Sequence, residues 1–270
     1  MAITLYFFGD LEAGQDYTKR GVQIWHSGAV SFAPEEVDVP VVSCLCYEAL
    51  FQWHFGNTTS CHETLTKAIS VAKELNDLHA SAVTLSWAAI VAQFEHTPAE
   101  VDRLASELIE LCTRHNSVFY LTVGVSLRGW ARSASGDTVK GIPWIEQGIR
   151  DSQASGAVTT LPYQLTLKAE ALYLADRTSE AFEAINEGQA VTQSVERHVS
   201  DSIIHRLRAV FLAAMGADEA QIEASFCEAI RIAREQKSVS LQKRAEAAYA
   251  EYRRQKARAS AGRGFRLPLW

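Results

Sequence analysis

Chain breakers are scarce: 270 residues carry only 6 Pro and 15 Gly, against 47% hydrophobic residues. That excludes a disordered chain and leaves ample apolar material for a core. Charge of one sign is also scarce. The net charge of -6 gives no global attraction for nucleic acid or an anionic membrane, so neither partner is expected. No apolar run approaches the roughly 18 residues that a membrane span needs. The opening MAITLYFFGD is interrupted at Gly9 and Asp10, with no basic leader and no small-residue cleavage site, so it reads as neither signal peptide nor anchor. The expectation is a soluble, cytoplasmic protein. Cysteines number five, an odd and scattered set, which excludes a disulfide framework, and none forms the paired C-x2-C spacing of a zinc site. The nearest cluster is Cys44, Cys46, Cys61 and His62. Cys44 and Cys46 sit two apart on a helical pattern and so point to different faces. No metal or cofactor is expected, and the thiols read as small buried hydrophobes. No G-x-S-x-G elbow is present, the eight His are spread among loops and helix faces, and no catalytic residue is assigned.

What the sequence does contain is a period. Ala49, Ala89, Gly129, Ala169 and Ala209 follow one another at intervals of 40, and all are small. Seven residues beyond each stand Gly56, His96, Gly136, Asp176 and Gly216, mostly turn formers. A second ladder, Asn76, Asn116, Gly156, Glu196 and Gln236, begins with the residue types that tolerate the left-handed conformation after a helix. Between the ladders lie apolar residues at helical spacing, such as Val42, Leu45, Cys46, Ala49 and Trp53, then Leu65, Ala68, Ile69 and Ala72. Each unit reads as helix A, tight turn, helix B, loop. Small residues belong where antiparallel helices cross closely: Gly129, Gly136, Gly141 and Gly148 mark that crossing in one unit, and Ala169, Asp176, Ala181 and Gly188 in the next.

This set of offsets resembles the tetratricopeptide repeat, with 40 residues per unit where that family has about 34; HEAT-like repeats have the longer length and are the structural alternative. The resemblance implies an all-α, right-handed TPR-like solenoid in one domain. Its predicted parts are an incomplete first repeat over 1–25, a loop over 26–40, five helix-turn-helix repeats over 41–240, a capping helix over 241–256 and a flexible tail over 257–270. Strings within it resemble a narrower bacterial group. Leu127 to Ala131 (LRGWA), Ala224 to Arg234 (ASFCEAIRIAR) and Tyr163 to Tyr173 are similar to the TPR-like C-terminal region of adenylate/guanylate cyclase–AAA ATPase signalling proteins. The catalytic parts of that group have no counterpart here, since no G-x-x-x-x-G-K-[ST] loop occurs.

By the resemblance to TPR proteins, helix A residues line a concave groove, and the candidates are Trp53, Ile90, Gln93, Ser126, Trp130, Tyr163, Thr166, Glu170, Tyr173 and Arg206. For any one of Trp53, Trp130 and Tyr173, packing of the superhelix core competes with this role. Aromatic and weakly charged, the row suits a peptide or amphipathic helix of a partner protein. The expected function is a protein-binding scaffold in a bacterial signalling system, and the alternative is a module that senses a small effector on the same surface. A second row, Arg128, Lys168 and Arg208, also recurs every 40 residues and reads as a solvated edge. Phe265, Leu267, Pro268, Leu269 and Trp270 are too apolar for a free end. The segment is expected either to dock in a groove, its own or a neighbour's, or to be a disordered remnant. A homo-oligomer through the first repeat or this segment is left open.

Overall fold

A computed structural model describes residues 1–27, 40–196, 198–258 and 266–270. The expectations that fall on 28–39, Arg197 and 259–265, which include most of the 26–40 loop and Phe265, lie outside the described residues. The described residues form thirteen α-helices and one 3-10 turn, with no strand. A short helix, α1 (Ala2–Phe8), and a full-length one, α2 (Leu11–His26), lead. Five antiparallel pairs follow: α3 (Pro40–His54) with α4 (Thr58–Leu75), α5 (Leu78–Phe94) with α6 (Pro98–His115), α7 (Val118–Ala134) with α8 (Thr138–Ala154), α9 (Leu161–Leu174) with α10 (Thr178–Val195), and α11 (Asp201–Ala214) with α12 (Glu219–Glu235). The last helix, α13 (Val239–Arg258), lies on the final pair. This is a TPR-like α-solenoid.

The period written in the sequence is a period in backbone angles. Gly56, His96, Gly136, Asp176 and Gly216 all adopt positive φ, between 54° and 100°. Each follows a helix A and turns the chain back through a link of three residues, or four in the last pair. Asn76, Asn116, Gly156 and Glu196 do the same after helices B, at φ between 51° and 71°. The fifth rung differs from the sequence reading: Gln236 is right-handed, and the left-handed residue is Lys237 at φ 58°. Helix α12 ends at the same phase as α10, and the chain reverses one residue later.

At the crossings, side chains are excluded by backbone. A Cβ on Gly129 would stand 2.6 Å from the Gly141 carbonyl oxygen, and one on Gly141 would stand 2.4 Å from that of Gly129. Only two glycines facing each other let α7 and α8 approach so closely. Ala49, Ala89, Ala169 and Ala209 are completely buried at the equivalent places. Helices A are consequently buried nearly all round, α5 on thirteen of its seventeen residues, and bulky apolar groups such as Trp53 and Trp130 contribute about 1.5–3 kcal/mol or more each.

One feature of the architecture has no signature in the repeat. The two ends of the array meet. His54 Nδ1 and Ser238 Oγ are 2.7 Å apart, Ser240 Oγ donates to the Trp53 carbonyl at 2.5 Å, and Arg244 of α13 donates to the Phe94 carbonyl. On the other edge the Val199 N–H donates to the Phe7 carbonyl at 3.2 Å, and Lys237 pairs with Glu12. The concave face therefore becomes an enclosed lumen. Of the segment expected as a tail over 257–270, residues 257 and 258 belong to α13, and residues 266–270 lie inside that lumen, as the docking alternative expects.

Candidate functional site

Five helices A line the lumen, and their spacing decides what faces inward. Positions three before, one after and four after each small residue lie on one helix face, which turns Arg206, Glu170, Trp130, Gln93 and Tyr173 from four different repeats toward the same interior. Glu170 is the centre. Its Oε2 accepts from Trp130 Nε1 at 2.7 Å and from Gln93 Nε2 at 3.3 Å, while Oε1 lies 3.7 Å from Arg206 Nη2. Tyr163 donates its hydroxyl to Gln93 Oε1 at 3.0 Å. Gln93, Trp130, Glu170 and Arg206 are all more than nine-tenths buried, so the charges are compensated by each other rather than by water.

Burial raises the Glu170 carboxyl, with Arg206, the Trp130 indole N–H, Arg244 and Gln93 opposing it. Burial also lowers Arg206, which Glu170 opposes, and brings Arg244 down to about 10, with Arg206 adding to the effect. Burial, then Arg244 and Arg206, lowers His96 to about 3, so its ring is neutral at neutral pH. The layer thus sets two guanidinium groups against the Glu170 carboxylate, with Glu95 also acting on Arg244.

Residues 266–270 lie on that layer in an extended run. Leu267 and Leu269 are buried, while Arg266, Pro268 and Trp270 remain exposed, the alternation of a strand-like segment. Its backbone is held at two points: Tyr173 donates its hydroxyl to the Leu267 carbonyl at 2.9 Å, and Arg206 Nη1 donates to the Leu269 carbonyl at 2.7 Å. Trp270 stacks on His96, with ring centroids 4.7 Å apart, and meets Trp130 edge-on at 6.2 Å. Arg266 lies over the Tyr173 ring at 4.9 Å, donates to the Tyr173 carbonyl at 2.7 Å and pairs with Asp176.

Six of the ten residues singled out from sequence converge here: Gln93, Trp130, Tyr163, Glu170, Tyr173 and Arg206. Of the other four, Thr166 lines the same small pocket as Gln93, Glu170 and Arg206, and the remaining three have different surroundings. Trp53 packs against Phe94 with Arg244 over its ring at 5.0 Å. Ser126 accepts from Gln164 Nε2 at 3.0 Å and donates to the Thr122 carbonyl, joining α7 to α9. Thr166 donates to the Tyr163 carbonyl at 2.7 Å. Ile90 lines the opposite mouth of the lumen. Sequence reasoning missed His96, Asp176 and Arg244, which read as turn residues and a polar capping helix. The 40-residue ladder flagged the first two positions only as turns, and nothing local marks Arg244 as inward-facing.

At the opposite mouth α1 inserts Tyr6 and Phe7. Tyr6 meets Tyr47, Phe51, His54 and Trp87 edge-on at 5.5–6.0 Å. Beside them lies a cavity of about 210 Å³, walled by Phe7, Tyr47, Trp87, Ile90, Tyr120 and Thr160 among others. Outside the lumen, the row Arg128, Lys168 and Arg208 does not stand free. Arg128 is 3.4 Å from Asp102, Lys168 is 3.4 Å from Glu146, and Arg208 donates to Gln189 Oε1 at 2.8 Å. Among the described residues no group of three or more His, Cys, Asp or Glu could hold a metal ion, and no helix is long and apolar enough to cross a membrane.

Comparison with known proteins bears on the fold. The family model of anaphase-promoting complex subunit 5 matches residues 41–97 and 190–255, that is α3 to α5 and the end of α10 through most of α13. The uncharacterized protein R02095 of Rhizobium meliloti (strain 1021) is 24% identical over 197 residues, 73% of this chain, and the chain spans 19% of that protein's length. Among solved structures, Bacillus thuringiensis PlcR in complex with the peptide PapR7 and DNA superposes with a TM-score of 0.55 over 89% of both chains, at 13% identity. That likeness establishes the shared helical-repeat fold. PlcR was solved with DNA as well as peptide, so it gives no support to the expectation that nucleic acid is not a partner. Neither PlcR nor the matched family adds to the resemblance to cyclase–ATPase proteins.

Proposed function

We propose that this chain is a protein-interaction module whose lumen binds an extended peptide segment of a partner protein. One observation carries the reading: the lumen holds five residues of its own chain in extended form, with two of their carbonyls taken by Tyr173 and Arg206. Main-chain recognition with alternate side chains in pockets is how extended peptides are read by protein surfaces generally. The peptide described with PlcR gives a precedent for this fold. A regulatory role in bacterial cytoplasmic signalling, within a protein several times longer, is the setting that the relative's length and the LRGWA-type strings favour.

The test is a selection of displayed peptides against the chain, followed by titration of the winners into the Tyr173→Phe and Arg206→Lys variants. Peptides that bind one to one and lose affinity in both variants support the reading. Winners indifferent to both substitutions, with unchanged stability of the variants, remove it.

A second reading is favoured by the aromatic-walled cavity of about 210 Å³ beside α1, which is the size of a small aromatic effector. Thermal-shift screening of small aromatic compounds, repeated with Trp87→Ala, separates the two. Stabilisation that vanishes in that variant is the sensor's signature.

A further inference from the structure

The groove states its own preference, because a ligand-shaped segment already sits in it. We propose that the lumen selects partner segments of the pattern basic–apolar–Pro–apolar–Trp, and that Arg266 to Trp270 is the resident competitor which such a partner must displace. This rests on the peptide-binding reading above and narrows it to one chemistry.

Each part of the pattern has a named cause. Two apolar side chains two apart enter the lumen, as Leu267 and Leu269 do, and the residue between them points to water. Proline suits that middle position, since its missing N–H costs nothing where only carbonyls are held, and its fixed φ favours the extended form. Tyr173 and Arg206 capture the carbonyls of the two apolar residues and fix the register. The aromatic residue is read by His96 and Trp130, and His96 stays neutral because Arg206 and Arg244 lie beside it. An indole stacks on that neutral ring, whereas a basic side chain there would face two guanidinium groups. At the other end the Tyr173 ring, its carbonyl and Asp176 form a seat for a guanidinium.

Competition follows from the tether. Only seven positions separate Arg258 from Arg266 in the sequence, and covalent attachment over so few residues corresponds to an effective concentration on the order of 1 mM. A resident segment whose untethered form has a Kd of about 10 μM for the lumen then weakens the binding of any partner peptide to the intact chain roughly 100-fold. Only a partner presented at high local concentration, or with contacts elsewhere, gains entry.

The experiment uses the full chain and its Leu267→Asp/Leu269→Asp variant, matched for helix content by circular dichroism. Both are titrated with a fluorescein-labelled Phe-Arg-Leu-Pro-Leu-Trp peptide, and with versions carrying Ala for Trp or Asp for both Leu. The expected result is at least tenfold tighter binding to the variant, and at least tenfold weakening by either peptide change. Equal affinity for the two chains, or indifference to the peptide changes, overturns the proposal. A vacated lumen that takes unrelated extended peptides but not this one overturns the pattern while sparing the peptide-binding reading; one that takes no peptide removes both. Should the variant fail to fold, the unmodified chain carrying fluorotryptophan, with Trp270 assigned through Trp270→Phe, gives a second measure. Millimolar hexapeptide must move the Trp270 fluorine resonance, and an unmoved signal overturns the proposal.

Discussion

Trp130 and Glu170 occupy the same place in consecutive repeats, 40 residues apart, and the indole N–H of one donates to the carboxylate of the other at 2.7 Å. The repeat thus brings a donor and a charge into register, and the repeat after Glu170 supplies Arg206 against the same carboxylate. Removing one partner of a buried ion pair leaves the other uncompensated, which costs about 3–5 kcal/mol. Arg206→Met is expected to destabilise the fold by about 3 kcal/mol, and Glu170→Gln by less, because the amide oxygen still accepts from Trp130. The double variant should recover part of the loss. Urea unfolding of the four proteins gives the coupling; strict additivity would show that Arg206 and Glu170 do not compensate each other.

The crossing of α7 and α8 yields a second prediction. Gly141→Ala places a methyl against the Gly129 carbonyl oxygen and Ser133, backbone and a short side chain that cannot swing away. The expected loss is about 2–3 kcal/mol, as for overpacked cores. Gly136→Ala meets nothing within 4 Å but sits at φ +100°, so it incurs backbone strain alone, about 1–2 kcal/mol. Melting curves of the two variants should rank in that order. The reverse ranking would mean that the helices part readily.

Period and helix pairing were legible in the sequence because Ala or Gly at a crossing and Gly or Asn at positive φ each have a physical reason, although His96, Asp176, Glu196 and Lys237 adopt positive φ with longer side chains. The lumen's polar layer was half legible. Glu170 and Arg206 stood out as the charges of an otherwise apolar row, but nothing in a repeat pattern says that residues from different units will meet. Arg244 was not legible at all, since α13 reads as an amphipathic cap and turns inward only because the ends of the array come together at His54 and Ser238. The apolar character of Leu267 and Leu269 pointed to docking, yet the partners, Tyr173 and Arg206, follow from curvature alone.

Positive φ at residues with side chains makes a third prediction. Glu196 ends α10 at φ 52° and Lys237 follows α12 at φ 58°. Glycine relieves the clash of Cβ with the backbone there, offset by its greater freedom in the unfolded chain. Glu196→Gly and Lys237→Gly should each stabilise by roughly 0.5–1 kcal/mol, the second less, because Lys237 pairs with Glu12. Differential scanning calorimetry checks both. A fall in melting temperature for Glu196→Gly would show that its side chain holds something more than a turn.

His54 supplies the fourth. It is fully buried at the seam where α3 meets α13, and burial first, then the Arg244 guanidinium, brings its pKa down to about 3. The unfolded chain takes up that proton near pH 6.5, the folded chain only near 3. Between those values the unfolded state binds more protons, so stability falls as pH falls, by up to roughly 1.4 kcal/mol per pH unit from this group. Above pH 6.5 the effect is flat. His96 acts in the same direction, while the raised carboxyl of Glu170 acts in the opposite one, so the total slope mixes several groups. A comparison isolates His54: Gln in its place keeps a polar side chain toward Ser238 Oγ and cannot titrate. His54→Gln is expected to be less stable than the unmodified chain at pH 7.5, and to close that gap by up to about 2 kcal/mol between pH 6.5 and 5. Urea midpoints at the three pH values decide it. Parallel profiles would mean that the ring is solvated before the array unfolds, and that the seam between the two ends opens first.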